Sequence, residues 1–182
     1  KKAKELAAQA KASPTTTAPT AAKPATPASV TVKPATSGAS GALAKYLGMI
    51  TPDLISKGKA HCSIAKNTTM KGMNSNVENL FYAMIGDAVG KGCPHVIIRE
   101  GVRSLAEQQR LYNAYCAYKA GNGPKAPAAA KPGTSRHGFG FALDINPRPT
   151  VEWLVSKGYL EKWGFERNLL STLGEWWHIE HK

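Results

Sequence analysis

Imidazole and carboxylate groups cluster at ligand-like spacing in two stretches of this chain. One runs Ser135-Arg136-His137-Gly138-Phe139-Gly140-Phe141-Ala142-Leu143-Asp144, the other is Glu175-Trp176-Trp177-His178 near the C-terminus. Two imidazoles and one carboxylate, from His137, Asp144 and His178, form a set that leaves the fourth tetrahedral position of a zinc ion open to water, as catalytic zinc sites do. Glu175 places a second carboxylate beside a ligand. The chemistry such a set performs is hydrolysis: metal to lower the pKa of a water and polarise a carbonyl, carboxylate to take the proton.

Positioning these groups asks for more than a regular strand. His137 and Asp144 are an odd number of residues apart and would point to opposite faces of one flat strand. Gly138 and Gly140 permit a bend or bulge between His137 and the run Phe141 to Ile145, so the expected picture is His137 on an entering turn and Asp144 inside a strand. Glu175 and His178 would share a face of a helix, but Trp176, Trp177 and Ile179 are strand formers with Gly174 just before them. A strand from Glu175 to His181 is therefore expected, with Glu175 at its mouth and His178 inside. Trp176, His178 and Glu180 would alternate to one face, which makes Glu180 a candidate to support a ligand from behind; His181 is read as peripheral.

The pattern Ser-x-His-x-x-Gly-x-Ala-x-Asp followed by Glu-x-x-His resembles the zinc peptidases that cut peptidoglycan stem peptides, the D-alanyl-D-alanine carboxypeptidases and dipeptidases and the phage L-alanyl-D-glutamate endopeptidases. It stands here as Ser135, His137, Gly140, Ala142 and Asp144, then Glu175 and His178. The family's Ser-Gly-Tyr-Arg-Ser motif appears as Glu100-Gly101-Val102-Arg103-Ser104, with Glu100 in place of Ser and Val102 in place of Tyr. The resemblance spans about Met73 to Lys182. It implies that His137, Asp144 and His178 bind one Zn²⁺, that Glu175 is general base and acid, that Arg103 stabilises the substrate carbonyl or carboxylate, and that Ser135 hydrogen-bonds near the substrate. A lone His-x6-Asp or Glu-x-x-His means little; their joint occurrence with the Gly, Ala and Arg positions carries the reading. Arg103 has a plainer alternative as a structural partner for Glu100 or Glu107.

The scaffold is legible by period. Asn76 to Val89 puts Val77, Leu80, Phe81, Met84, Ile85 and Ala88 at helical spacing, ended by Gly90 and Gly92. His95 to Glu100 reads as a strand that delivers Arg103 just past its end, where substrate-contacting loops are commonly mounted. Ser104 then caps a helix to about Tyr118, with Glu107 completing a capping box and Leu105, Leu111, Tyr112 and Tyr115 packing. Gly121 to Gly133 is an alanine- and proline-rich loop expected to rim the cleft. After Asn146-Pro147-Arg148-Pro149 a short helix begins at Thr150, followed by a loop or turn with packing aromatics around Tyr159 and Trp163.

Of the 182 residues, 1–41 are dominated by Ala, Thr, Pro, Lys and Ser, hold no aromatic residue and cannot bury a core; they are expected to be a disordered linker, with only Lys1 to Lys11 able to start a helix. Residues 42–72 form a short helical or irregular lead-in, with Thr51-Pro52-Asp53 marking a helix start and Gly58 to Gly72 irregular. Residues 73–182 are the catalytic domain. The chain begins at Lys, which suggests a piece of a longer product. No apolar run is long enough to span a membrane, and no hydrophobic signal segment follows the opening lysines.

The formal net charge is +12; six lysines against Glu5 place +5 in the linker and leave +7 downstream. Such a balance favours anionic partners, but no zinc-finger spacing, RNA-binding aromatic motif or recognition helix supports nucleic acid. Anionic wall polymers, an upstream chain or a virion fit the charge and the linker, and the resemblance implies a peptidoglycan stem peptide as substrate and action in the cell wall or periplasm. Three cysteines cannot all pair in one chain: Cys116, on the stripe of Leu105 and Tyr112, is expected to be buried, and Cys62 and Cys93 to be unpaired structural thiols rather than part of a second metal site.

These readings converge on an α+β domain with a small, mostly antiparallel sheet flanked by helices and zinc in a surface cleft. The linker and charge favour an endopeptidase of phage lysin type; a D-alanyl-D-alanine carboxypeptidase is the alternative. A non-catalytic wall-binding or virion module is the rival from another class, and intact Glu175 speaks against it.

Overall fold

The computed structural model describes residues 40–169 and 173–182. The expected linker, including its first possible helix, lies almost wholly outside the described residues. Helix α1 (Ser40–Leu47) and helix α2 (Pro52–His61) lead into strand β1 (Cys62–Ile64). Helix α3 (Ser75–Val89) and strand β2 (Val96–Glu100) follow, then helix α4 (Leu105–Lys119), a 3₁₀ turn at His137–Phe139 and strand β3 (Ala142–Asn146). Helices α5 (Arg148–Ser156) and α6 (Tyr159–Lys162) precede strands β4 (Phe165–Glu166) and β5 (His178–His181).

The five strands form one sheet in the order β1-β2-β3-β5-β4. Only β1 with β2 is parallel; the other three pairings are antiparallel. This is the mostly antiparallel α+β architecture expected from the sequence. Leu143 and Ile145 of β3, Val96 and Ile98 of β2 and Ile179 of β5 are fully buried in one apolar cluster with α3. By the two-residue period of a strand, Asp144 and His178 fall on the opposite face. The core thus fixes which side chains face the cleft.

Helix α3 is buried on nearly every side, including Val77, Leu80, Phe81, Ala83, Met84, Ile85 and Ala88. Asn74 caps it, its side-chain oxygen accepting from the Asn76 and Val77 backbone N–H groups at 3.1 and 3.3 Å. Its outer side meets α2 backbone to backbone. A Cβ on Gly86 would lie 2.0 Å from the Leu54 carbonyl oxygen, and one on Gly58 1.8 Å from that of Tyr82. These two glycines let the helices touch.

Several local expectations are revised. The stretch read as irregular after Gly58 completes α2 and then forms β1, which docks on the edge of β2 with Cys62, Ser63 and Ile64 opposite Val96, Ile97 and Ile98. Strand β5 starts at His178 rather than Glu175, because Trp176 and Trp177 occupy a turn. The helix placed at Thr150 starts at Arg148. Ser104 does cap α4, accepting from the Glu107 N–H at 3.1 Å, but the Glu107 carboxylate pairs with Arg110 instead of closing a capping box. Cys116 is exposed and so is Leu105, since α4 buries only Gln108 and offers no apolar stripe to the core. Cys62 and Cys93 are free thiols, as read.

Candidate metal centre

Asp144 stands directly opposite His178 in the β3–β5 ladder. Its Oδ1 lies 3.0 Å from His178 Nδ1 and 3.2 Å from His137 Nε2, and the two imidazole nitrogens are 3.2 Å apart. His137 reaches this point from the 3₁₀ turn, which ends at Gly140 in a left-handed conformation, φ 72°. A Cβ there would come within 2.7 Å of the Asn74 backbone nitrogen. Glycine therefore allows the chain to swing from the turn into β3 against the start of α3.

The outer nitrogens of both rings decide the inner ones. His137 Nδ1 lies 2.8 Å from the Gly101 carbonyl oxygen, and His178 Nε2 lies 3.2 Å from Glu180 Oε2. A carbonyl and a carboxylate only accept, so each of these nitrogens carries the hydrogen. In the neutral rings His137 Nε2 and His178 Nδ1 then present lone pairs toward a carboxylate oxygen. Three acceptors converge with no hydrogen among them, which calls for a cation. Ligands on a tetrahedral zinc at 2.0–2.1 Å stand about 3.3 Å apart, close to the separations found here. The donor set fits one divalent cation, and among the described residues it is the one group of three or more His, Cys, Asp or Glu side chains so arranged.

In the metal-free chain protons take that place. Burial works against charge on His178, but hydrogen bonds to Asp144 and Glu180 outweigh it and push the imidazole up to about 9. Burial would likewise raise Asp144, but hydrogen bonds from the two histidines hold it well below the usual carboxylate range. Glu180 is buried and also accepts from Asn168 Nδ2, with Arg136 Nε 3.8 Å away. That fixes the carboxylate that orients His178. His181, read as peripheral, is fully buried, edge-on to Tyr46 and Phe165.

Glu175 sits half-buried in the turn before β5, in the electrostatic field of His178, Asp144, His137 and Arg103; burial is the largest influence and raises its carboxyl. A raised carboxyl suits a group that must take up a proton and give it back near neutral pH. Ser135 is buried at the entry to the 3₁₀ turn, its carbonyl accepting from the Gly138 N–H at 3.0 Å. Arg103 has the partner that its plainer reading named. Its Nε donates to Glu100 Oε1 at 2.6 Å, its Nη2 to Glu100 Oε2, and its Nη1 to Gln108 Oε1 at 2.9 Å. Gln108 is fixed in turn by the Ala130 carbonyl at 2.7 Å, which ties the 121–133 loop to α4.

Beside the centre lies a cleft of about 370 Å³ lined by Arg99, Glu100, Asp144, Asn146, Trp176 and Trp177. Of these, only Asp144 was singled out as a site residue by spacing. Glu100 had a signal, as the acidic residue standing where the related motif has Ser.

A small α+β domain carrying a His/Asp/His set at the cleft face of its sheet is the class that the fold and site define. The family model described as VanY, D-alanyl-D-alanine carboxypeptidase, matches residues 70–168, and the chain belongs to this family. No curated protein sequence matches it. Among solved structures it is similar to a zinc-bound mutant of the vancomycin resistance D,D-pentapeptidase VanY from a VanB-type cassette, with 23% identity over 65% of this chain and 79% of that chain, TM-score 0.47. It is also similar to the LD-carboxypeptidase LdcB, with 20% identity over 66% and 64%, TM-score 0.49. The L-Ala D-Glu endopeptidase ChiX of Serratia marcescens matches with 15% identity over 65% and 90%, TM-score 0.42.

Proposed function

We propose that this chain is a zinc-dependent peptidase that hydrolyses a peptide bond in peptidoglycan stem peptides, acting as a carboxypeptidase on the terminal D-alanine. The observation that carries the reading is the convergence of His137 Nε2, His178 Nδ1 and Asp144 Oδ1 within 3.2 Å of one another, beside a carboxylate with a raised pKa. The family match favours a carboxypeptidase over the endopeptidase to which linker and charge pointed, because those two features describe delivery and not the cleft.

His137, Asp144 and His178 would hold the zinc, which when bound would lower the pKa of a water and polarise the scissile carbonyl. Glu175 accepts the proton of the attacking water and returns it to the leaving amine. Arg103 keeps two N–H directions beyond those given to Glu100 and Gln108 and directs them at the carbonyl oxygen as it gains charge. Glu100 holds that guanidinium in place, Ser135 hydrogen-bonds near the peptide, and the folded catalytic unit includes α2 and β1 as well as residues 73–182. Wall polymers and an upstream chain or virion are the partners that the basic linker would serve, with action in the cell wall or periplasm.

The test is digestion of purified peptidoglycan by the zinc-loaded protein beside Glu175→Gln, with mass spectrometry of the released ends. Free D-alanine from the wild type alone is expected. New L-alanine and D-glutamate termini would replace the carboxypeptidase by the endopeptidase, and no product from zinc-loaded wild type would leave a binding module as the better account.

A further inference from the structure

The cleft is lined by one arginine, Arg99, in a different electrostatic state from Arg103, which pairs with the lining residue Glu100. Strand β2 pairs with β3 in regular antiparallel register at Ile97 with Asn146 and Ile98 with Ile145, and then Glu100, not Arg99, stands opposite Asp144. One residue is left over, and it is Arg99. A bulge of this kind re-aims side chains, and bulges recur beside active sites. Here it brings two successive residues, Arg99 and Glu100, to the lining of one cleft with Asp144, which a flat strand would send to opposite faces. The bulge is anchored from outside by Thr68, whose Oγ1 donates to the Arg99 carbonyl at 2.6 Å.

The two arginines differ in what they have left to offer. Arg103 has a side chain 14% exposed and is neutralised by both oxygens of Glu100. Arg99 is exposed and forms no ion pair among the described residues. A guanidinium is a rigid fork that matches a carboxylate with two parallel hydrogen bonds. It shares the cleft with Asn146, a further polar group, and with Trp176 and Trp177, whose edge-to-face rings, centroids 5.4 Å apart, form an apolar wall.

We propose that Arg99 is the specificity-determining residue that receives the free carboxylate of the substrate peptide, leaving Arg103 for the scissile carbonyl. The assignment rests on the peptidase reading above. It explains why the pairing of Arg103 with Glu100 is compatible with recognition of an anionic peptide end: the recognising cation is Arg99, which follows Ile97 onto the cleft face by the ordinary strand period, while the bulge adds Glu100 beside it.

The experiment compares two synthetic stem pentapeptides, identical except that one ends in D-alanine carboxylate and the other in D-alanine carboxamide. The zinc-loaded wild type, Arg99→Ala and Arg99→Lys are assayed on both. The wild type is expected to favour the carboxylate in kcat/KM, chiefly through KM. Arg99→Ala should reduce that preference about 10–100-fold, the worth of a charge-assisted hydrogen-bonded pair, and Arg99→Lys should restore part of it. Folding and metal content of each variant are read by circular dichroism and zinc analysis, and an exposed position should leave both intact. Preference unchanged in a folded, zinc-loaded Arg99→Ala overturns the assignment alone. No turnover of either peptide by the wild type removes the peptidase reading and the assignment with it.

Discussion

Asp144 and His178 face each other across neighbouring antiparallel strands, 3.0 Å from Oδ1 to Nδ1, and this cross-strand pair is the frame of the candidate metal centre. Both residues lie within strands whose alternate side chains, Leu143, Ile145 and Ile179, are fully buried. A one-residue slip would expose that apolar set and separate the pair, so packing of the core enforces the register of Asp144 and His178. His137 alone comes from outside the sheet, held by the Gly101 carbonyl. Replacing any one ligand, as in His137→Ala, Asp144→Ala or His178→Ala, should lower zinc affinity by orders of magnitude while the fold persists. Competition with a chromophoric chelator measures this.

Glu180 orients the outer nitrogen of His178. Glu180→Ala is expected to weaken metal binding about 10–100-fold, the usual cost of losing such a supporting partner. Glu180→Gln, which keeps an accepting oxygen, should recover much of it. The absorption spectrum of the cobalt-substituted protein should change in the Ala variant, because a freed imidazole ring changes the ligand field.

Glu175 is assigned the proton and not the metal. Glu175→Gln should keep full zinc content and lower kcat by about 10²–10⁴-fold, the range of general acid–base contributions. Loss of zinc in this variant would show that Glu175 serves the centre in another way.

Metal-free and zinc-loaded protein should respond to pH in opposite senses. In the metal-free chain His178 titrates at about 9, against 6.5 when unperturbed. A folded-state value raised in this way contributes stability that is complete below the unfolded value and is lost as pH rises through the folded one. Metal-free protein should therefore lose up to about 3 kcal/mol between those limits. Asp144, whose carboxyl is depressed, acts at the acid end, its contribution being lost as pH falls below about 4. Zinc competes with the proton for His178 Nδ1, so zinc affinity should rise over the same alkaline interval. Thermal melts of both forms across pH 6–9 check the two slopes.

The contact between α2 and α3 supplies a control remote from the chemistry. Gly86→Ala would drive a methyl to 2.0 Å from the Leu54 carbonyl oxygen, and forcing the helices apart should destabilise the fold by about 1–3 kcal/mol or more. Denaturant unfolding is the measurement, and zinc stoichiometry of the folded fraction should not change.

Much of the scaffold was legible because its signals are local. Val77 to Ala88 repeat with the period of a helix, and the apolar residues of β2 and β3 stand beside turn residues. That His137, Asp144 and His178 come together was legible because side-chain chemistry at matched spacing survives without coordinates. What escaped depends on partners far along the chain. Strand β1 is three residues long, Cys62–Ile64, and exists through its pairing with β2 rather than through a pattern of its own. The bulge at Arg99 leaves no mark in the order of residues, since Val96 to Glu100 reads as an ordinary strand either way. Cys116 was misplaced because a stripe on a helix says which residues share a face, not whether anything covers it. Trp176 and Trp177 are strand formers held in a turn, where tertiary context overrides propensity.

The central claim is that a zinc held by His137, Asp144 and His178 serves peptide hydrolysis. The most direct measurement is release of D-alanine from a defined stem pentapeptide by protein stripped of metal and then titrated with zinc. The account predicts no release from the stripped protein and activity rising in step with zinc to one equivalent. Equal release without metal, or none from a chain shown to hold one zinc, would contradict it.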